Sequence, residues 1–398
     1  MRAPTLLLAA VLFPVCLFAQ TPGARSHKST VAPQAVVRLD GAHLKPAEVD
    51  RIVNGLMQRA HVTGLALAVL NRSEIVYLKA FGLRNVEQNE PLTVDTVMYG
   101  ASLTKAAFAY MVMQLVDEKL IDLDRPVTEY LSKSLPEFPW YAELRSDERY
   151  KKITTRMLLS HTAGFPNFRF LNADGKLDIK FEPGTRYAYS GEGINLLGFV
   201  VEQITGRSIG ELMQTRVFDR FGMKRTSMVW EPRFATDYAE SYDAEGKLVD
   251  IVRGINVRAA GSMETTVADY AKFLRGVLKG EGISPASREQ MLSPQIRIHS
   301  AKQFPTLAPE TTTENDGIQL SYGLGWGLFL SPFGQAFFKE GHDEGTENHA
   351  VCFDERKTCL LVLTNSSNGH SLFKELLETV IADRFTPWNW EDYIPVTR

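Results

Sequence analysis

Tyr99-Gly100-Ala101-Ser102-Leu103-Thr104-Lys105-Ala106-Ala107-Phe108 opens an apolar segment with a serine and sets a lysine three residues later. The run predicts a helix over Leu103 to Val116, and residues three apart on a helix share a face, so Lys105 stacks over Ser102. An apolar setting pulls a lysine amine toward neutrality, each pKa unit being worth about 1.4 kcal/mol. A neutral amine can take the serine proton, which makes Ser102 the candidate nucleophile. Spacing alone does not decide this, because Ser371-Leu372-Phe373-Lys374 repeats it. Ser371 opens the last amphipathic helix and has no further chemistry-bearing segment after it, so helix capping accounts for it.

Upstream of this segment, Pro46 to His61 carries Val49, Ile52, Val53, Leu56 and Met57 on one helical face. Leu65 to Leu70 and Ile75 to Phe81 read as a hairpin around Asn71-Arg72-Ser73-Glu74. Downstream, from about Ser102 to Ser300, the pattern is mainly helical, with helices over Asn195 to Thr205 and Val267 to Leu278. The charge-rich stretch Leu144 to Arg156 reads as a solvated surface. Strands return at Gln335 to Gly341, His349 to Phe353 and Cys359 to Thr364, and Ser371 to Phe385 closes the chain as a helix. The expected fold class is therefore α+β: an antiparallel sheet formed from both chain ends, flanked by helices, with a large mainly helical insertion. In domain terms this is a discontinuous sheet domain, 41–100 with 317–398, and a helical domain, 101–316. A cleft between them suits small-molecule chemistry.

The formal charge of -3 gives no reason to expect nucleic acid or an anionic membrane surface as a partner. At the N-terminus, Met1-Arg2 and the apolar run Thr5 to Ala19 precede Gln20-Thr21-Pro22-Gly23-Ala24, the order of a secretory signal peptide over 1–19. An uncleaved anchor is the alternative, although Pro14 interrupts the run and it is short of the ~20 residues a span needs. Residues 20–40 read as a flexible lead-in. The mature chain is then exported, periplasmic or secreted, with no stable membrane span. Cleavage removes Cys16 and leaves Cys352 and Cys359 flanking a polar hairpin turn. Symmetric pairing sets the two opposite each other, as a disulfide or as two buried thiols. A bond closing so short a loop adds at most about 2.5 kcal/mol.

Other segments accompany Ser102-Lys105 in order: Met157-Leu158-Leu159-Ser160-His161-Thr162-Ala163-Gly164, Pro183-Gly184-Thr185, Tyr189 through Gly198, Tyr322-Gly323-Leu324-Gly325-Trp326 and Gly341-His342. With them the sequence, from about Val49 to the last helix, resembles the serine beta-lactamase and penicillin-binding protein superfamily, and within it the class C-related branch with its esterases and D-aminopeptidases. The resemblance implies that Tyr189 faces the serine and relays protons. It implies a third motif of Lys or His, a small hydroxyl residue and Gly on the strand edging the cleft, placed here at His342-Asp343-Glu344. It also implies an oxyanion hole from the N–H groups of Ser102 and Gly345. His161 reads as a structural turn residue.

Two positions depart from the family pattern. Gly191 stands where Tyr-x-Asn would supply an amide, which removes a hydrogen bond worth roughly 0.5–1.5 kcal/mol. Glu344 stands where glycine is usual and, with Asp343 and Glu347, forms an acidic patch that either narrows the cleft, selects amine-bearing substrates, or points to solvent or holds His342. His342, Asp343, Glu344, Glu347 and His349 are also potential metal ligands, but no His-Glu-x-x-His spacing accompanies them, and neither metal nor other cofactor is expected. The reading is an exported serine hydrolase acting through an acyl-enzyme on an ester or a D-amino peptide or amide, small-molecule or peptide, cell-wall derived substrates included. The alternatives are a true beta-lactamase, or a penicillin-binding or sensory relative with little turnover.

Overall fold

The computed structural model describes residues 34–250 and 253–395. The expected leader, 1–19, and the first part of the lead-in lie outside the described residues. The end of the lead-in is built in: Val36–Val37 pairs antiparallel with His43–Leu44, and Val36 is fully buried. Two adjacent β-branched residues give this segment apolar surface to bury, which its polar surroundings concealed.

Helix α1, Pro46–Ala60, begins with a proline in its first turn, where the missing N–H loses no bond. The main sheet has nine strands: β1 (Gly64–Asn71), β2 (Glu74–Asn85), β3 (Glu90–Pro91), β4 (Ile296–Arg297), β5 (Ser321–Tyr322), β6 (Gly327–Ser331), β7 (Gly334–Asp343), β8 (Thr346–Phe353) and β9 (Thr358–Thr364). Their order is β4-β5-β6-β7-β8-β9-β1-β2-β3, antiparallel at every pairing, so residues from both ends of the chain meet at β9–β1. This is the α+β architecture that the strand runs imply.

Side chains alternate across a strand, and here the alternation divides the core in two. Leu65, Leu67 and Val69 of β1 pack with α1 and the last helix, α5 (His370–Val380). Ala66, Ala68 and Leu70 face the other way, into the core shared with the helical insertion. Small alanines there let helix α4, Val267–Lys279, lie close against β1 and β2. Helix α2, Leu103–Asp117, is buried without interruption from Leu103 to Leu115. A helix apolar on all sides belongs in the middle of a protein, and this one carries Ser102 at its start.

The insertion is less helical than its pattern suggests. Between α2 and helix α3, Gly191–Thr205, the described chain runs mostly through loops and short 3₁₀ turns. Pro126, Pro136 and Pro139 each sit at the start of such a turn, where proline is tolerated but cannot continue a longer helix from before. Nor is the charged stretch wholly solvated: Leu144, Tyr150 and Ile153 enter the core while their charged neighbours face water. At the far end of the sheet Cys352 lies opposite Cys359 across β8–β9 and the two are bonded. No helix among the described residues is long and apolar enough to cross a membrane.

Candidate active site

A short ribbon, Met98–Tyr99 paired with Glu264–Thr265, delivers the chain to Ser102. Gly100 then donates its N–H to the Met263 carbonyl at 2.8 Å. Ala101 follows in the left-handed region at φ +45, a conformation costing a non-glycine residue about 1–2 kcal/mol. The turn is held because the Ala101 carbonyl accepts both the Thr104 hydroxyl at 2.6 Å and the Thr104 N–H at 3.1 Å. Ser102 emerges at the N-cap of α2 without capping it, so its hydroxyl is free for chemistry.

Lys105 is 1% exposed, and its Nζ lies 2.9 Å from Ser102 Oγ. The same nitrogen donates to the Ala260 carbonyl at 2.6 Å, and Asn195 Oδ1 holds the Ala260 N–H at 3.1 Å. Asn195 of α3 thereby fixes the residue that aims the amine. Burial, reinforced by the charge of Lys339, holds the Lys105 amine well below its usual 10.5.

Tyr189 is buried with its ring under Lys105, whose Nζ is 4.7 Å from the ring centroid. Burial, with the negative charge of Glu340 next, pushes its phenol well above the ordinary 10, while a hydrogen bond with Ser102 acts against that rise. The two shifts run in opposite directions, favouring a neutral amine and a protonated phenol. His161 packs on Tyr189 at 4.4 Å between ring centroids, sits at φ +57, and accepts the Ser190 N–H at 3.2 Å through Nδ1. Its place is structural.

Lys339 also occupies this centre, and sequence reasoning passed over it. It is wholly buried on β7, its Nζ donating to the Tyr189 hydroxyl at 3.1 Å and pairing with Glu340. Burial opposes the Glu340 charge, but Lys339 outweighs it and holds the carboxyl below its usual range, helped by Gln303 at 3.1 Å. Gly341 follows directly: a Cβ there would stand 2.6 Å from the Gly100 carbonyl, so only glycine lets β7 lie against the nucleophile turn. The letters Lys339-Glu340-Gly341 meet the first and third positions of the expected strand motif, which His342-Asp343-Glu344 does not. That was the available signal, masked by Glu340 where a small hydroxyl residue is usual.

The structure thus sets Lys339 against the Tyr189 hydroxyl, and it places the residues of the expected motif as follows. Gly345, at φ +68, lies in the turn between β7 and β8, where its N–H donates to Ser367 Oγ at 2.8 Å. It is not available to an oxyanion. Glu344 and Asp343 stand exposed at that turn and are not part of the cavity wall. His342 does line the cavity, its Nδ1 2.6 Å from Glu347 Oε1. His349 is buried, with Nδ1 2.9 Å from the Tyr393 hydroxyl. Among the described residues no group of three His, Cys, Asp or Glu side chains is arranged to hold a metal ion.

Gly191 is forced by a neighbour, since a Cβ there would lie 2.4 Å from the Phe168 ring. Its N–H donates to Asn167 Oδ1 at 3.0 Å, so an asparagine from another loop stands beside the missing one. Arg169 straps this loop to the first turn of α3 through Glu192, at 2.9 and 3.0 Å. The result is a cavity of about 530 Å³ running from Ser102 and Tyr189 past Asn167, Phe168 and Phe170 on one side and Glu340, His342 and Glu391 on the other.

A serine beside a buried lysine, next to a sheet built from both chain ends, is the arrangement of a beta-lactamase-type fold. The beta-lactamase family model matches residues 49–382, and the chain belongs to that family, whose members include esterases, a D-aminopeptidase and beta-lactamases. The chain is similar to penicillin-binding protein 4* of Bacillus subtilis, 24% identical over 370 residues that cover 84% of this chain and 75% of that one. It is also similar to esterase EstB of Burkholderia gladioli, 28% identical over 347 residues that cover 78% of this chain and 84% of that one. The octameric penicillin-binding protein homologue from Pyrococcus abyssi shares the fold, with a TM-score of 0.67 at 24% identity over 84% of this chain and 79% of that one.

Proposed function

We propose that this protein is an exported serine hydrolase working through an acyl-enzyme, on a carboxylic ester or on a D-amino peptide or amide. The observation that carries the reading is the 2.9 Å contact between Ser102 Oγ and a buried Lys105 amine held below its ordinary pKa. Lys105 takes the hydroxyl proton as Oγ bonds to the substrate carbonyl carbon. The bond to the leaving group then breaks, and Tyr189 passes a proton to the departing atom, refilled from Lys105. Water adds to the acyl carbon, the bond to Oγ breaks, and the proton returns to Ser102. The Ser102 N–H supplies one oxyanion donor. Pairing of β6 with β7 ends at Phe338, so the second donor is assigned to the backbone edge of β7 beyond that point, beside Gly341.

The relatives named as esterase and D-aminopeptidase support the substrate classes. The leader-like sequence before residue 20 and the Cys352–Cys359 bond support export. A fluorophosphonate and a penicillin, each followed by adduct mapping, test the nucleophile. Labelling at Ser102 is expected, and labelling at Ser371 instead overturns the assignment. An activated ester, a D-Ala-D-Ala peptide and a chromogenic cephalosporin assayed alongside rank the substrates, and no turnover of any of them by a protein that still acylates overturns the hydrolase reading.

A further inference from the structure

Four carboxylates, Glu340, Glu347, Glu391 and Asp392, line the cavity that holds Ser102. Three of them already have cations. Glu340 pairs with Lys339, Glu347 with His342 at 2.6 Å, and Asp392 with Lys302 at 2.8 Å. Glu391 does not. It is 8% exposed, and among the described residues neither of its carboxylate oxygens makes a hydrogen bond of ordinary geometry, the Tyr393 hydroxyl being only a weak neighbour. The nearby Tyr393 hydroxyl, which favours its charged form, meets His349 at 2.9 Å. A buried carboxyl without a good partner carries an uncompensated desolvation cost, larger when charged, so its retention on a cavity wall calls for a ligand.

The same cavity also carries aromatic side chains. Phe168 and Phe170 stack with centroids 5.2 Å apart, and Phe304 meets Tyr189 edge-on at 5.5 Å. Phe170 is 72% exposed and Phe304 42% exposed, apolar surface that nothing among the described residues covers. An isolated exposed aromatic is ordinary, but several together rimming a catalytic cavity mark a binding surface.

We propose that Glu391 seats the protonated amine of an amphiphilic substrate whose apolar part lies against Phe168, Phe170 and Phe304. The proposal deepens the hydrolase reading, on which it rests for the meaning of Ser102 in the same cavity. Burial and the charge of Glu340 push the Glu391 carboxyl well above its usual range, which favours its protonated form in the empty cavity; an entering ammonium displaces that proton to solvent and supplies the counter-charge. The selection for amines is thereby moved from the exposed turn at Glu344 to the cavity interior. An ammonium facing an aromatic wall gains further from the ring faces.

Calorimetric titration of the purified protein with 2-phenylethylammonium chloride and with 2-phenylethanol, at pH 7 and equal ionic strength, tests the seat. The ammonium is expected to bind at least tenfold more tightly than the alcohol, and Glu391→Gln to bring that ratio close to one. Equal affinities in the unaltered protein, or an undiminished ratio in Glu391→Gln, overturn the proposal. Should that variant fail to fold, crystals soaked with 2-(4-bromophenyl)ethylammonium decide: bromine against the aromatic wall with nitrogen at Glu391 supports it, and nitrogen elsewhere overturns it. Fluorophosphonate labelling separates the two readings. Label at Ser102 without ammonium preference removes the amine seat alone, whereas ammonium preference without label removes the hydrolase reading and leaves the seat.

Discussion

Lys339 Nζ donates to the Tyr189 hydroxyl at 3.1 Å, while Lys105 Nζ stands over the same ring at 4.7 Å from its centroid. One phenol is thus held between two amines of different kinds, one paired with Glu340 and one without a carboxylate.

That difference predicts how Lys339 can be removed. Lys339→Met leaves Glu340 charged and buried with no cation, which costs on the order of 3–5 kcal/mol. Adding Glu340→Gln should restore most of that stability, because both charges are then gone. Activity should stay low in both, by about 10²–10³ in kcat, the scale for losing one positioned donor. Denaturant unfolding and ester turnover, measured on the single and double variants, separate the two effects. Recovery of turnover along with stability would show Lys339 to be structural only.

Lys105 offers a pH test whose sign is fixed. Its amine has a lower pKa folded than unfolded, so between the folded value and about 10.5 the unfolded chain binds more protons. Stability then rises with pH across that window, with a slope of at most about 1.4 kcal/mol per unit. Below the folded value the burial penalty is present in full. Compared with Lys105→Met, the unaltered protein should therefore gain relative stability as pH rises toward 10.5. Unfolding midpoints of both forms at several pH values check this, and a constant difference would mean that Lys105 titrates normally.

The Ser102–Lys105 contact was legible because helical spacing is local: the two are three residues apart, and their approach follows from helix geometry. The sheet was legible because strand-like apolar runs set off by turn residues mark β1, β2, β7, β8 and β9 one by one. Lys339 was hidden by a long-range fact, the approach of Gly341 to the Gly100 carbonyl, which no local pattern encodes. Asn167 and Glu391 were hidden for the same reason. Each reaches the cavity from a loop far from Ser102 in sequence, and their surroundings in the chain carry no periodic signal.

Gly191 is a packing constraint, and substitution should expose it. Alanine puts a methyl carbon 2.4 Å from the Phe168 ring, so either the ring or the Asn167–Leu171 loop must move. Overpacking of this kind costs about 1–3 kcal/mol. Gly191→Ala should lower the unfolding temperature and weaken substrate binding, and Phe168→Ala in the same chain should recover the temperature. If Gly191→Ala melts with the unaltered protein, the ring is not fixed where the structure has it.

His342 and Glu347 give the last prediction. The imidazole Nδ1 lies 2.6 Å from Glu347 Oε1, and this hydrogen bond raises its pKa above 6.5 despite burial, with Asp343 and Glu340 adding to the rise. His370, 3.5 Å from the same oxygen, is the other basic group facing Glu347. A pKa higher folded than unfolded means that the pairing stabilises fully below about 6.5 and is lost as pH climbs through the folded value. The imidazole is 62% exposed, so water screens the pair and its worth stays under about 1 kcal/mol. Glu347→Gln removes the main cause, while the partial desolvation of the ring at the cavity wall, which favours its neutral form, remains. The His342 midpoint, followed by the imidazole NMR shifts, should therefore fall in the variant, and the stability gap between the two forms should be wider at pH 6 than at pH 9. An unchanged midpoint would assign the shift to the remaining acids rather than to Glu347.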